Sequence, residues 1–221
     1  KPQGILFLGG SSQDFIESFA GIHIPAVLVT NSAAELGFGN LSSVTTDDTA
    51  AAAAAVGYLA DMGHEKIAVI GGEREYSDTG RLRYAGVLRA LTDRGRTFDA
   101  DRYYKTAHYS FDEGYEAMAE LLGDAPETTA VFAMADVMAI GAARAIRDAG
   151  KRIPEDISLI GFDGLPICRY YEPRLSTVTQ QISFMAEKSY AVLLDMIENG
   201  TSAQHVLAPY TLEKTDSIRK F

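Results

Sequence analysis

The sequence predicts an α/β fold built on parallel sheet, and three observations carry that expectation. Short apolar runs alternate with helix-like stretches from one end of the chain to the other. The runs are nearly continuous in apolar residues, as strands covered by helices on both faces must be. With 221 residues, 47 % of them apolar and 23 % charged, the chain is long enough to bury a core without staples and too ordinary in composition for disorder or coiled coil. Strand–helix alternation then implies parallel strands joined by right-handed crossovers.

In chain order, Gly4–Leu8, Ala26–Val29, Lys66–Ile70, Ala130–Met134 and Ile157–Phe162 read as strands. Asp48 is placed to cap an alanine-rich helix that ends near Gly63, since glycine past the last turn adopts the left-handed conformation freely. Arg81–Arg94 carries a helical stripe. Ser110-Phe-Asp-Glu113 has capping-box spacing, and Tyr115, Met118, Ala119 and Leu122 then share a helix face. Asp136 is placed to cap a helix through Arg147, stopped by Gly150 and Pro154, and Ile182–Asn199 forms a last helix closed by Gly200.

Thirty acidic against twenty basic side chains leave a net charge of −10, so these residues by themselves repel a phosphate backbone. A single cysteine, Cys168, has no internal partner, which suits a reducing cytoplasm. No apolar run approaches the ~20 residues of a membrane span. Catalytic motifs fail: there is no phosphate loop, Gly71-Gly72-Glu73 lacks the rest of a dinucleotide fingerprint, and no G-x-S-x-G elbow occurs. The histidines His23, His64, His108 and His205 are scattered without ligand spacing, so neither a metal nor a cofactor is expected. His64 reads as a turn residue that hydrogen-bonds backbone rather than a base.

Ligands of parallel sheets sit outside the carboxyl ends of the strands. Those ends carry Thr30 and Asn31, Gly71 and Gly72, Ala135 and Asp136, and Asp163 and Gly164. Arg83, near the start of a helix, has a guanidinium that can fork onto paired hydroxyls or a carboxylate, or simply make a surface salt bridge. Asp136 also serves as a helix cap, Asp163 as a solvated loop carboxylate and Tyr109 as a core aromatic. No one of them decides between binding and structure.

The order of five segments does. Val44-Thr-Thr-Asp-Asp48 followed by Gly63-His64, Arg81-Leu-Arg-Tyr-Ala-Gly86, Ala135-Asp136-Val-Met-Ala-Ile-Gly141, Ile153-Pro-Glu-Asp-Ile-Ser-Leu-Ile-Gly-Phe-Asp163 and Pro173-Arg-Leu-Ser-Thr-Val178 together resemble the lactose-repressor family of bacterial transcription regulators. The resemblance spans essentially the whole chain.

It implies two doubly wound parallel-sheet lobes of periplasmic-binding-protein-like type, with a small effector in the cleft between them and no chemistry done on it. Matching the motifs puts residues 1–44 and 182–210 in an N-terminal lobe and residues 45–181 and 211–221 in a C-terminal lobe. Arg83 falls on the family's effector-binding arginine, Asp163 on the aspartate ending its I-G-Y-D strand, Tyr109 on the aromatic that stacks on the ligand, and Gln180 on a crossover position facing the cleft. Asp136 follows the position usually held by asparagine, here Ala135, and is expected at the edge of the site. A sugar suits this set, since carboxylates accept from vicinal hydroxyls and an aromatic face covers a sugar's C–H face, although a ring base would use the same stacking.

The resemblance also implies a homodimer packed through Ile140 and Tyr171, and operator DNA contacted only through a helix-turn-helix head that these residues do not include. The strand Gly4–Leu8 would be the third of its lobe, so that lobe is expected to be incomplete, with a bare edge and with Ile5, Phe7, Leu28 and Leu193 short of covering helices. Without an initiator Met, the chain reads as a piece of a longer regulator. The rival expectations are an exported sugar-binding protein serving a transporter and an enzyme on a doubly wound fold.

Overall fold

A computed structural model describes residues 1–221, the side chain of Asp14 excepted. The chain divides into two compact units, Lys1–Asp47 with Gln180–Tyr210 and Asp48–Thr179 with Thr211–Phe221. The divisions lie a few residues from those expected, because the polar strand Leu41–Thr46 runs on through Thr45 and Thr46 inside the sheet of the smaller unit.

That unit holds four parallel strands in the order β1-β2-β3-β9: β1 (Ile5–Leu8), β2 (Ala26–Val29), β3 (Leu41–Thr46) and β9 (His205–Ala208). Helix α7 (Ile182–Asn199) covers one face through Met185, Val192, Leu193 and Met196, which pack on Val27, Val29 and Val44. Helix α1 (Ser12–Ser18) and a following 3-10 turn cover the other with Phe15 and Phe19, against Ala26, Leu28 and Leu41. Contrary to expectation, Leu28 and Leu193 are buried, and Phe7 packs edge-on to Phe15 with centroids 5.0 Å apart. The uncovered side chains are Leu6 and Leu8 on the outermost strand, 40 % and 84 % exposed. They share the face of Val27 and Val29, where α7 lies over β2 and β3 instead.

β3 was not expected as a strand, since four of the six residues of Leu-Ser-Ser-Val-Thr-Thr carry hydroxyls. Every residue of it is nevertheless buried, and each hydroxyl has a partner. Ser42 donates to Met196 Sδ, Ser43 meets His205 Nδ1, Thr45 donates to the Thr30 carbonyl and Thr46 to Gln180 Oε1. Burial of a polar group is tolerated on that condition.

The larger unit is a six-stranded sheet in the order β10-β8-β7-β6-β4-β5. Its strands are β4 (Ile67–Gly71), β5 (Tyr104–Thr106), β6 (Ala130–Ala133), β7 (Ser158–Asp163), β8 (Ser176–Gln180) and β10 (Tyr210–Glu213), with β4 to β8 parallel. Helices α2 (Asp48–Asp61) and α3 (Asp78–Thr92) pack together, as do α5 (Phe111–Asp124) and α6 (Asp136–Asp148); α4 (Ala100–Tyr103) is a single turn. The α5–α6 approach depends on glycine: a Cβ on Gly141 would lie 2.0 Å from the Phe111 carbonyl oxygen, and one on Gly114 2.5 Å from that of Met138.

Ser77 caps α3 and Ser110 caps α5, each accepting the backbone N–H three residues on. Glu113 does not close the capping box, because its carboxylate takes the backbone N–H and Nδ1 of His108. The buried stripe of α5 is Gly114, Ala117, Met118 and Leu121, so Tyr115 and Ala119 face outward. At α6 the cap position is Ala135, and Asp136 is already the first helical residue. His64 is fully buried and bonds Thr129 Oγ1 through Nδ1 and the Arg219 carbonyl through Nε2, which ties down the carboxyl-terminal tail. No helix among the described residues is long and apolar enough to cross a membrane.

Candidate functional site

The carboxyl ends of β4, β6 and β7 form one face of the larger unit, and Arg83 stands at its centre. Helix α3 starts at Asp78 behind the Ser77 cap, so Arg83 lies in its second turn, pointing inward. Its Nε donates to Asp48 Oδ1 at 2.7 Å, its Nη1 donates to the Met134 carbonyl, and the guanidinium lies 3.6 Å over the centroid of Phe162. Only 4 % of Arg83 is exposed, so a surface salt bridge is excluded as its role. The remaining edge, Nη2, faces Asp163 Oδ1 at 3.9 Å.

Asp163 ends β7 with φ of 123°, a conformation uncommon for a residue with a side chain, and it is followed by Gly164 at 78°. Its carboxylate is partly exposed. Glycines make room at the end of β4, on the other side of β6. A Cβ on Gly71 would lie 2.3 Å from Met134 Sδ, and one on Gly72 would lie 2.9 Å from the Tyr109 hydroxyl. Tyr109 therefore lies against Gly72, on the loop that precedes α5, and is 42 % exposed. Beneath it the Tyr104 hydroxyl donates to the Gly72 carbonyl, and burial pushes the Tyr104 phenol above its ordinary value.

Asp136 belongs to the layer under this face. It is fully buried, with Oδ1 accepting from the Thr177 hydroxyl at 2.6 Å and Oδ2 from the Leu165 N–H at 2.7 Å. Burial pushes its carboxyl up, and bonds from Thr177, Leu165, Cys168 and Gly164 pull the other way. Burial beside this carboxylate also holds the Cys168 thiol well above its usual range, which leaves it unreactive. Gln180 falls in the smaller unit, where it accepts from Thr46.

The larger unit thus brings Arg83 to Asp163 at the end of β7, places Tyr109 against Gly72 beyond β4, buries Asp136 on Thr177 and Leu165, and leaves Gln180 outside it. Asp48, Met134, Phe162 and Thr177 were missed as parts of the arrangement. Asp48 alone carried a signal, a second carboxylate beside Asp47 at a helix start, which reads as a cap. Chemically, this face offers acceptors from carboxylates, donors from a clamped guanidinium and an aromatic surface.

Of the two residues expected at a dimer contact, Ile140 is half-buried on α6. Tyr171 is half-buried under the Arg147 guanidinium, 5.1 Å from its ring centroid, next to Tyr170, which is 87 % exposed.

Residues 56–218 match the family described as a periplasmic binding protein-like domain. The HTH-type transcriptional regulator MalR of Clostridium butyricum is 34 % identical over 97 % of this chain, which spans 64 % of MalR. Among solved structures, a LacI family transcriptional regulator from Enterococcus faecium with bound ribose matches with a TM-score of 0.86 and 29 % identity, over 99 % of this chain and 80 % of that one. A LacI family regulator from Sanguibacter keddieii DSM 10542 matches with a TM-score of 0.85 and 30 % identity, over 97 % and 77 %.

Proposed function

The chain belongs to the LacI, or lactose-repressor, family of transcriptional regulators, and from that premise we propose that it is the effector-sensing and dimerisation core of a bacterial DNA-binding regulator. The effector is a small polar metabolite, a sugar in the first instance, held at the carboxyl-end face of the larger unit. One observation supports the reading: Arg83, clamped on Asp48 and Phe162, turns its remaining edge toward Asp163 at the end of β7, while Tyr109 lies against Gly72 beyond β4. A pre-clamped donor and a neighbouring acceptor suit vicinal hydroxyls, and an aromatic surface suits a sugar ring. The ribose-bound relative supports the same class of ligand.

Asp163 and Arg83 hold the effector and Tyr109 covers it. Binding biases the regulator between two states and so controls operator affinity through a DNA-binding head, a coupling typically worth ~1–3 kcal/mol. The protomers pair through Ile140 and Tyr171, and the regulator works in the cytoplasm. An exported sugar-binding role draws less support, since the relatives described above are regulators.

Isothermal titration of the chain with D-ribose, other mono- and disaccharides and purine bases tests this. One of these should bind, and Asp163→Asn should abolish its heat while leaving the fold intact. Binding that is indifferent to Asp163→Asn, or no binding across the panel, would overturn the assignment.

A further inference from the structure

Asp136 has the wrong surroundings for a ligand contact and the right ones for a different task. Its carboxylate faces donors from two separated stretches of the larger unit. Leu165 and Gly164 offer backbone N–H groups, Cys168 its thiol, and Thr177, on β8, its hydroxyl. The space it occupies is reserved, because a Cβ on Gly161 would lie 2.3 Å from Asp136 Oδ1. Two residues before Leu165, Asp163 adopts its left-handed backbone conformation, which persists only where the surroundings over-determine it. Gly164 is hemmed in as well, its absent Cβ falling 2.5 Å from Thr179 Oγ1.

Resting on the effector reading above, we propose that Asp136 is a positioning residue. Without touching the effector, it pins the 163–168 loop to β8 and so holds the Asp163 carboxylate across from Arg83. A carboxylate is required because every group aimed at it is a donor. An amide in its place turns two hydrogens toward donors, of which only a hydroxyl or thiol can reverse. The stretch it fixes also leads out of the unit, since β8 ends at Gln180, where the chain enters the smaller unit.

Hydrogen exchange of the native chain, read by peptide, tests this without any ligand. Asp136→Asn and Thr177→Val should each speed exchange in the 163–169 segment by roughly tenfold, the loss expected from breaking one charge-assisted hydrogen bond, with β4 and α3 unchanged. Thr177→Ser, which keeps the hydroxyl, should restore the wild-type rate. Exchange that rises evenly over the larger unit would make Asp136 a general brace and overturn the proposal, as would an unchanged 163–169 segment. A second arm titrates D-ribose. If wild type binds it, Asp136→Asn should weaken binding in step with the loop's exchange; undiminished affinity in a loosened loop would also overturn the proposal. If wild type binds neither ribose nor the wider panel, the effector reading fails, while the exchange arm still decides whether Asp136 fixes the loop.

Discussion

Nε of Arg83 donates to Oδ1 of Asp48 across 2.7 Å, and both side chains are buried, so the expected effector arginine is also a strut between α3 and the start of α2. Removing one partner of a buried pair leaves the other charge stranded, at about 3–5 kcal/mol. Arg83→Ala is therefore expected to lose that much stability in urea titrations, whereas Asp163→Asn, at a partly exposed site, should cost little stability and act on ligand binding alone. Equal stability of the two variants would show that the Arg83–Asp48 pair bears no structural load.

Two glycines in one helix pair should respond with opposite signs. Gly141→Ala forces a methyl group to within 2.0 Å of the Phe111 carbonyl oxygen, so α5 and α6 must separate. Overpacking of this kind typically costs about 1–3 kcal/mol. Gly123, late in α5, has nothing within 4 Å of where its Cβ would be, and Gly123→Ala should stabilise by up to about 1 kcal/mol through helix propensity. Thermal unfolding of the two variants reads both signs, and a stabilised Gly141→Ala would contradict the close approach.

Much of the fold was legible because strands buried on both faces must be apolar without interruption; β2, β4, β6 and β7 announce themselves in this way, and β1 has the same apolar run although one of its faces is open. β3 does not, because its four hydroxyl residues are buried on the strength of partners as distant in sequence as Met196 and His205. The site was legible in part. Arg83 and Asp163 stand out by their place in the order of segments, but that Asp48 clamps Arg83 depends on a pairing across 35 residues that no local pattern records. Asp136 shows the same limit from the other side. A carboxylate at a helix start reads as a cap, and only Thr177, 41 residues on, reveals that it faces β8 instead.

Ile140 and Tyr171 supply a test of the proposed pairing. Tyr171 is braced by Arg147, and Tyr170 beside it projects into solvent. An exposed aromatic beside a half-buried one, next to a helix face, suits an interface core better than an open loop. Ile140→Glu combined with Tyr171→Ala should convert a dimer to monomers in sedimentation velocity, with unchanged circular dichroism. A wild-type chain that sediments as a monomer at tens of micromolar would remove this contact from consideration.

His64 should make the larger unit sensitive to mild acid. The Arg219 carbonyl can only accept, so Nε2 carries the hydrogen and the Nδ1 lone pair accepts from the Thr129 hydroxyl, a neutral ring with both nitrogens satisfied. Burial, aided by the nearby Arg219 charge, holds its pKa below the ordinary 6.5. The unfolded chain therefore binds this proton more readily than the folded one. The resulting stability is fully present above about pH 6.5 and is lost as pH falls through the lower folded value. His205, lowered by burial, adds to this slope, and His108, raised by its bond to Glu113, opposes it. Both remain in His64→Gln, so the difference between wild type and that variant isolates His64. In urea titrations from pH 7.5 downward, wild type should lose stability relative to His64→Gln once the pH drops below about 6.5. Exposure of the ring on protonation should release the tail bonds beside it, Arg219 to His64 and Phe221 to the Met62 carbonyl, read as early proteolysis of the carboxyl-terminal tail. A difference that stays flat with pH, or widens as pH rises, would mean that His64 is not held neutral by its burial.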